Sequence, residues 1–274
     1  MSFSVWLVMI PQWLCLMLVM LFFVGFGVGV VMLVRQFVHH TILKQHNDIA
    51  GFVFATVGVI YGVMLAFVVI VIWEQFNDAN SIARSEATQA YSLYRDLLNY
   101  PDQELIKQPL ASLAAFSKAV LELEYPAMRN MKWESEHVAS AETEKKFLKL
   151  WKDIKAISPK TMQEDALFHE ILADINSLGR EREKRLIIAR DDLPGVIWTA
   201  MILGALVTIG FTALFGNENL KGQIVITGLL SIVVSLVIFV VITLNFPFVG
   251  EVSIAAEGYE YLIDQAGWNK KPGI

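Results

Sequence analysis

The chain of 274 residues is 55% hydrophobic and only 18% charged, with a mean hydropathy of +0.51 and a net charge of −5. Soluble domains average about 25% charged residues. Here the charge is also segregated, because residues 1–34, 49–73, 193–217 and 222–250 carry none, whereas 74–192 hold 17 of the 22 Lys and Arg and 21 of the 27 Asp and Glu. That excludes a single water-soluble globule, and a pI near 5.6 gives no reason to expect nucleic acid as a partner.

A bilayer core of about 30 Å is crossed by ~20 apolar residues of helix. The first apolar run, 2–34, is longer, and Trp6, Pro11, Gln12 and Trp13 mark an interfacial start, so the membrane helix is predicted over about 13–34. It lacks the basic leader and small-residue cleavage site of a signal peptide and reads as a retained anchor. Gly25, Gly27 and Gly29 suit close helix contact. Cys15, the only cysteine, lies inside this run and excludes an intramolecular disulfide. The second span is predicted over 51–73, the third over 193–215 with Pro194 in its first turn, and the fourth over about 222–246. The chain thus divides into 1–73 (spans one and two), 74–192 (a polar insert), 193–250 (spans three and four) and 251–274 (a C-terminal tail).

The insert reads as helix throughout. No Pro or Gly interrupts 74–100, so span two is expected to continue into it as one long helix. Asp102 is a cap for the next helix, which Pro109 interrupts or restarts and which ends near Tyr125-Pro126. A third helix is predicted over 141–157. A fourth runs from a Ser158-Pro159 start to about 191, with Leu167, Ile171, Asp174, Ile175, Leu178, Arg182 and Leu186 on one stripe. The fold class is an all-α membrane protein with four transmembrane helices and a helical insert between spans two and three.

Four spans place both termini on the side of the insert. The opposite side has two short loops bearing Arg35, Lys44 and Lys221. The insert side has Arg84, Arg180, Arg182, Lys184, Arg185, Arg190, Lys270 and Lys271 near the membrane. The positive-inside rule then places the insert and both termini in the cytoplasm of a multi-pass inner (plasma) membrane protein.

Chemical motifs are largely missing. There is no Walker loop, GxGxxG, HExxH, GxSxG or CxxC, and no Asp or Glu lies within a span, which argues against an enzyme and leaves no cofactor implied. His39, His40 and His46 have the ligand chemistry for Zn or Cu, but a polar interfacial loop is the simpler reading and no metal site is assigned. Arg180, Arg182, Lys184, Arg185 and Arg190 are expected to pair along the helix surface with Glu181, Glu183, Asp191 and Asp192, the other reading being attraction of anions or anionic lipid headgroups. Glu74 and Glu86 flank the end of span two and, in an oligomer, would make rings of pore-mouth charge.

Span two is two-faced. Asn47, Gly51, Ala55, Gly58, Gly62 and Ala66 form a small stripe of the kind that packs helix on helix in lipid. The opposite face carries Val53, Ile60, Met64, Phe67 and Val71, which look either to lipid or into a central constriction. In the second case Ile60, Met64 and Phe67 form an apolar gate that opens by wetting.

Several blocks resemble the bestrophin-like family of bacterial membrane proteins, catalogued as a domain of unknown function. They are His46-Asn47, the run Tyr61-Gly62-Val63-Met64-Leu65-Ala66-Phe67, Trp73-Glu74, Glu86-Ala87, Arg182-x-x-Arg185-Leu186, Ala189, Leu193-Pro194, Trp198 and Pro247-Phe248-x-Gly250. The similarity to true bestrophins is remoter and rests on the four-span layout with its helical insert. It implies a homopentameric ion channel with the second span lining the pore, so that the partners are further copies of the chain, membrane lipids and permeating ions. The acidic Ca²⁺ clasp of the animal proteins has no clear counterpart. The alternative is a non-conducting membrane scaffold or regulator whose insert binds a partner. A chemoreceptor-like sensor is disfavoured, because no output module follows span four.

Overall fold

The computed structural model describes residues 8–130 and 133–269 and is all-helical over them, with no strand among the described residues. Trp6, Lys270 and Lys271 lie outside the described residues. The chain forms two units, one of Met1–Phe76 with Asp192–Phe246 and one of Asn77–Asp191 with Pro247–Ile274.

Among the described residues, the first unit carries four helices long and apolar enough to cross a membrane. Helix α1 is Gln12–Phe37 and is followed by a short α2, His40–Lys44. Helix α3, Asn47–Leu98, is one unbroken helix of 52 residues, as the absence of Pro and Gly over 74–100 predicts, and gives only its first part to this unit. Helix α8, Gly195–Phe211, is extended to Leu214 by a 3-10 turn, and α9 is Leu220–Leu244. At about 1.5 Å per residue the 26 residues of α1 reach about 39 Å, more than the bilayer core needs.

Lipid offers no hydrophobic drive for helix association, so close packing of small residues has to supply it. Of the three glycines in α1, only Gly27 meets another of the described residues closely. A Cβ there would lie 2.8 Å from Thr227 and 2.9 Å from both Ile209 and Ser231, whereas Gly25 and Gly29 face open space. The hydroxyls of Ser231 and Ser235 return to the carbonyls one turn back, which keeps that face of α9 small and satisfied.

The ends of the spans are tied by polar contacts. Asn47 at the start of α3 donates to the Gly216 carbonyl at 2.9 Å and accepts from the Gly216 amide at 2.8 Å. Arg35 donates to Gln223 at 3.0 Å and to the Asn217 carbonyl. At the opposite ends, the Asn245 side chain accepts from the Leu193 amide and donates to Asp192 at 2.6 Å.

The second unit is a helical core of α4 (Gln103–Ala119), a π-helical turn (Val120–Glu124), α5 (Tyr125–Arg129), α6 (Trp133–Lys155), α7 (Met162–Ile188), α10 (Glu257–Gln265) and the remainder of α3. Asp102 caps α4 as expected, accepting from the Glu104 amide. Pro109 does not interrupt that helix but lies buried inside it. The break comes later, at Pro126, which cannot donate to the preceding turn, and the backbone widens there into the π turn. Helix α7 does not start at Ser158-Pro159. Thr161 is its N-cap and accepts from the Glu164 amide at 3.2 Å, while the Glu164 carboxylate accepts from the Lys160 amide at 2.7 Å, a close relative of the capping box.

The segment after Pro247 packs into this second unit. Gly250 has φ +77°, a conformation that favours glycine, and its amide donates to the Arg129 carbonyl. Tyr259, Leu262 and Ile263 on α10 are buried, and Gly258 is small because a Cβ there would lie 2.5 Å from that of Ala87.

Candidate functional site

Within the first unit, α3 uses only one of its faces to pack on its own chain. Tyr61, Leu65, Val68 and Ile72, spaced three and four apart, are buried. The Tyr61 hydroxyl donates to the Met201 carbonyl at 3.0 Å, and its ring lies over Gly204, where a Cβ would come within 2.5 Å of it. At 3.6 residues per turn this face points roughly between the small stripe and the bulky face, and most of both is left uncovered by the described residues. Nothing lies within 4 Å of a Cβ added at Gly58 or Gly62, and Ala55 and Ala66 are exposed. Gly51 only grazes Phe215, and Asn47 is engaged by Gly216. On the bulky face Ile60 is 66% and Phe67 65% exposed, and Met64 is half-buried. Met64 and Phe67, with Val196, Ile197 and Ala200 of α8, line an open apolar groove of about 390 Å³.

Glu74 is exposed, which leaves it free to act as a charge beside a pathway. Glu86 is not. Its side chain is fully buried in the second unit, and the reading of it as pore-mouth charge is corrected by what surrounds it.

Arg185 donates to both oxygens of Glu86, through Nε to Oε2 and through Nη2 to Oε1 at 3.1 Å. Its Nη2 also reaches Glu124 Oε2 at 2.6 Å. Glu124 accepts from Arg182 at 2.6 Å, and Arg182 donates in turn to Glu144 at 2.5 Å. The Tyr259 hydroxyl donates to Glu86 Oε1 at 2.8 Å. Charges of alternating sign therefore run Glu86, Arg185, Glu124, Arg182, Glu144, and only the last is substantially exposed. Aromatic rings complete the setting, with the Arg185 guanidinium 4.9 Å from the Tyr125 ring and that of Arg182 5.9 Å from both Phe116 and Phe147.

Local structure explains the convergence. Arg182 and Arg185 stand three apart on α7 and share a face. Glu124 closes the π turn, whose extra residue shifts the following side chains round the helix and brings Glu124, Tyr125 and Met128 inward together. Burial opposes the charge of Arg185, but Glu86 and Glu124 outweigh it and hold its pKa well above the ordinary value. Burial and the Glu86 carboxylate push Tyr259 well up, and burial holds Tyr125 at about 12. Arg185, Tyr125 and Tyr259 thus keep their protons near neutrality, and the arrangement is a structural tie between five elements. Two of the five basic residues expected on the helix surface are in this tie, whereas Lys184 pairs with Glu181 at 2.7 Å as the spacing predicts.

The histidines of the short loop have local roles. His39 accepts from the Thr41 amide as the cap of α2, and its ring lies 4.2 Å from that of His40. Among the described residues no group of three or more His, Cys, Asp or Glu is placed to hold a metal ion.

A family profile described as Bestrophin-like domain matches residues 21–259. No curated protein matches the chain. Among solved structures, a bacterial bestrophin homologue from Klebsiella pneumoniae is similar with a TM-score of 0.67 at 13% identity, covering 92% of this chain and 99% of its own. A point-substituted form of that homologue gives 0.68 at 13% identity, over 90% and 99%.

Proposed function

The chain belongs to the bestrophin-like family, and from that premise we infer that it is a homo-oligomeric ion channel, pentameric by resemblance, with α3 lining the pathway. The observation that carries this reading is that, within the first unit, α3 packs on the described part of its own chain mainly through the Tyr61 face. Its small stripe is then free to meet a neighbouring copy and its Ile60, Met64 and Phe67 face to ring an axis. An ion at such a ring loses hydration without replacement ligands, so the ring acts as a gate that conducts when wetted. Glu74 is the remaining candidate for charge beside the pathway. The reading is not enzymatic, and it places the protein in a bacterial inner membrane with termini and insert in the cytoplasm.

A second reading is a non-conducting scaffold. It is favoured by the open groove of about 470 Å³ between α6 and α7, walled by Phe147, Trp151, Ile175 and Leu186, which suits a partner segment. Currents through planar bilayers separate the two. Purified wild type is expected to conduct, and Phe67→Ala to conduct more at matched protein density. Silence from both, with assembled particles verified, favours the scaffold.

A further inference from the structure

Two helices of the second unit expose matched stripes of opposite charge. On α6, Lys145, Leu148, Lys149 and Lys152 follow at three- and four-residue steps, so they share one side of the helix. On α10, Glu257, Glu260, Tyr261 and Asp264 repeat the same spacing. All of these residues are exposed. Each stripe sets like charges around one apolar side chain, and those two, Leu148 and Tyr261, are both 57% exposed. No basic residue interrupts α10. Lys145 is paired with Glu142 of its own helix at 2.6 Å. The side chains of Lys149, Lys152 and the three α10 carboxylates make no ion pair or hydrogen bond among the described residues.

The core of the unit directs both stripes outward. The Phe116 ring of α4 lies 5.2 Å from that of Phe147 on α6 and 6.4 Å from that of Tyr259 on α10, and all three are buried. At 3.6 residues per turn, each stripe is centred about 150° round its helix from the core aromatic. Each therefore turns away from Phe116, and one chain presents both stripes at once. The Tyr261 ring is seated 5.9 Å from that of Tyr91 on α3.

We propose that the lysine stripe of α6 in one copy docks on the carboxylate stripe of α10 in the next copy. The occupant is a second copy because the chain itself supplies the complement, with the same spacing, the opposite charge and an apolar side chain within each stripe. The contact rests on the reading of the chain as a homo-oligomer and gives that assembly a head-to-tail interface in the second unit. Two different patches that meet make a heterologous contact, which closes into a ring when the rotation allows. Exposed ion pairs add little affinity by themselves, so the charges set register and reject other pairings, while Leu148 against Tyr261 adds apolar area.

The test does not depend on conduction. The full chain carrying Cys15→Ala, Leu148→Cys and Tyr261→Cys is reconstituted in neutral phosphatidylcholine vesicles and oxidised, and oligomer mass is measured in parallel in detergent. A head-to-tail contact gives a ladder of covalent trimers and larger species, whereas either cysteine alone gives at most dimers. Raising the salt concentration should lower the yield, because exposed charges are screened. Lys149→Glu/Lys152→Glu and Glu260→Lys/Asp264→Lys should each cut the ladder several-fold, and the four changes in one chain should restore it. All four side chains are exposed, so the helices should form in every variant. Oligomers of wild-type mass that give no ladder, or reversals that are not restored in combination, would overturn the contact and leave the oligomeric reading standing. A chain that stays monomeric would overturn both. Absence of the ladder, with lysine-dependent retention of the detergent-solubilised chain on phosphatidylserine vesicles, would overturn the contact and assign the α6 stripe to an anionic membrane surface.

Discussion

Arg185→Met removes the centre of the buried charge chain. Arg185 is fully buried, as are Glu86 and Glu124 beside it. The substitution keeps most of the side-chain volume but takes away the paired bonds to Glu86 and the bond to Glu124. Each charge-assisted hydrogen bond contributes about 1.5–3 kcal/mol. The net loss is smaller than their sum, because Glu86 keeps the Tyr259 hydroxyl and Glu124 keeps Arg182. Breaking a buried pair from one side costs about 3–5 kcal/mol, most of it from the charge left unpaired. For a unit of this size that lowers the thermal midpoint by about 10–20 °C. The assay is thermal unfolding of the full chain in detergent, followed by protease sensitivity of the second unit. The double variant Glu86→Gln/Arg185→Met should recover part of the loss, since one stranded charge is then gone, with a coupling of about 1–3 kcal/mol. A loss under about 1 kcal/mol for Arg185→Met would refute the reasoning, and so would strictly additive effects in the double variant.

Further predictions concern positions where backbone or open space decides. Gly216→Ala is expected to disorder the short loops, because its Cβ would lie 2.1 Å from the Lys44 amide nitrogen and 2.6 Å from the His40 carbonyl oxygen, both backbone atoms that cannot yield; proteolysis at 38–46 checks it against Asn47→Ala, which removes only the side-chain clamp. Gly58→Leu and Gly62→Leu meet nothing in their own chain, so the monomer should keep its helicity while the oligomer mass in detergent falls. Unchanged mass in both would remove the stripe as the subunit contact. Phe67→Ala alters a side chain that is 65% exposed and should change thermal stability by no more than ~0.5 kcal/mol, so that any change in current is not a folding effect.

Much of this architecture was readable in advance, and the rest was hidden for identifiable reasons. Charge-free runs of sufficient length located the four spans, and the absence of Pro and Gly over 74–100 foretold the long α3, because both signals are local. The Asp102 cap was readable for the same reason. Thr161 was not, since Ser158-Pro159 offers an equally good local signature and the choice between them depends on where Glu164 folds back. The charge chain was the largest omission. The blocks Glu86-Ala87 and Arg182-x-x-Arg185 stood out as signatures, but spacing along the chain cannot reveal that Glu86 and Arg185 meet across 99 residues. Glu124 gave no signal at all, because only the π turn directs it inward. For span two, the two faces were visible in the sequence, whereas the Tyr61 face that packs on α8 was not distinguished from them.

The central claim is that the Ile60, Met64 and Phe67 face of α3 borders an ion pathway, and current under site-directed thiol labelling tests it most directly. Cys15 is the only native cysteine, so Cys15→Ala gives a clean background. Single cysteines are placed at 60, 64 and 67, with Trp13→Cys as an exposed control on α1. The account predicts a steady current through planar bilayers that changes when a charged thiol reagent reacts at 60, 64 or 67 and does not change at 13. Assembled oligomers that carry no current, or a current indifferent to labelling at all three positions, would contradict it.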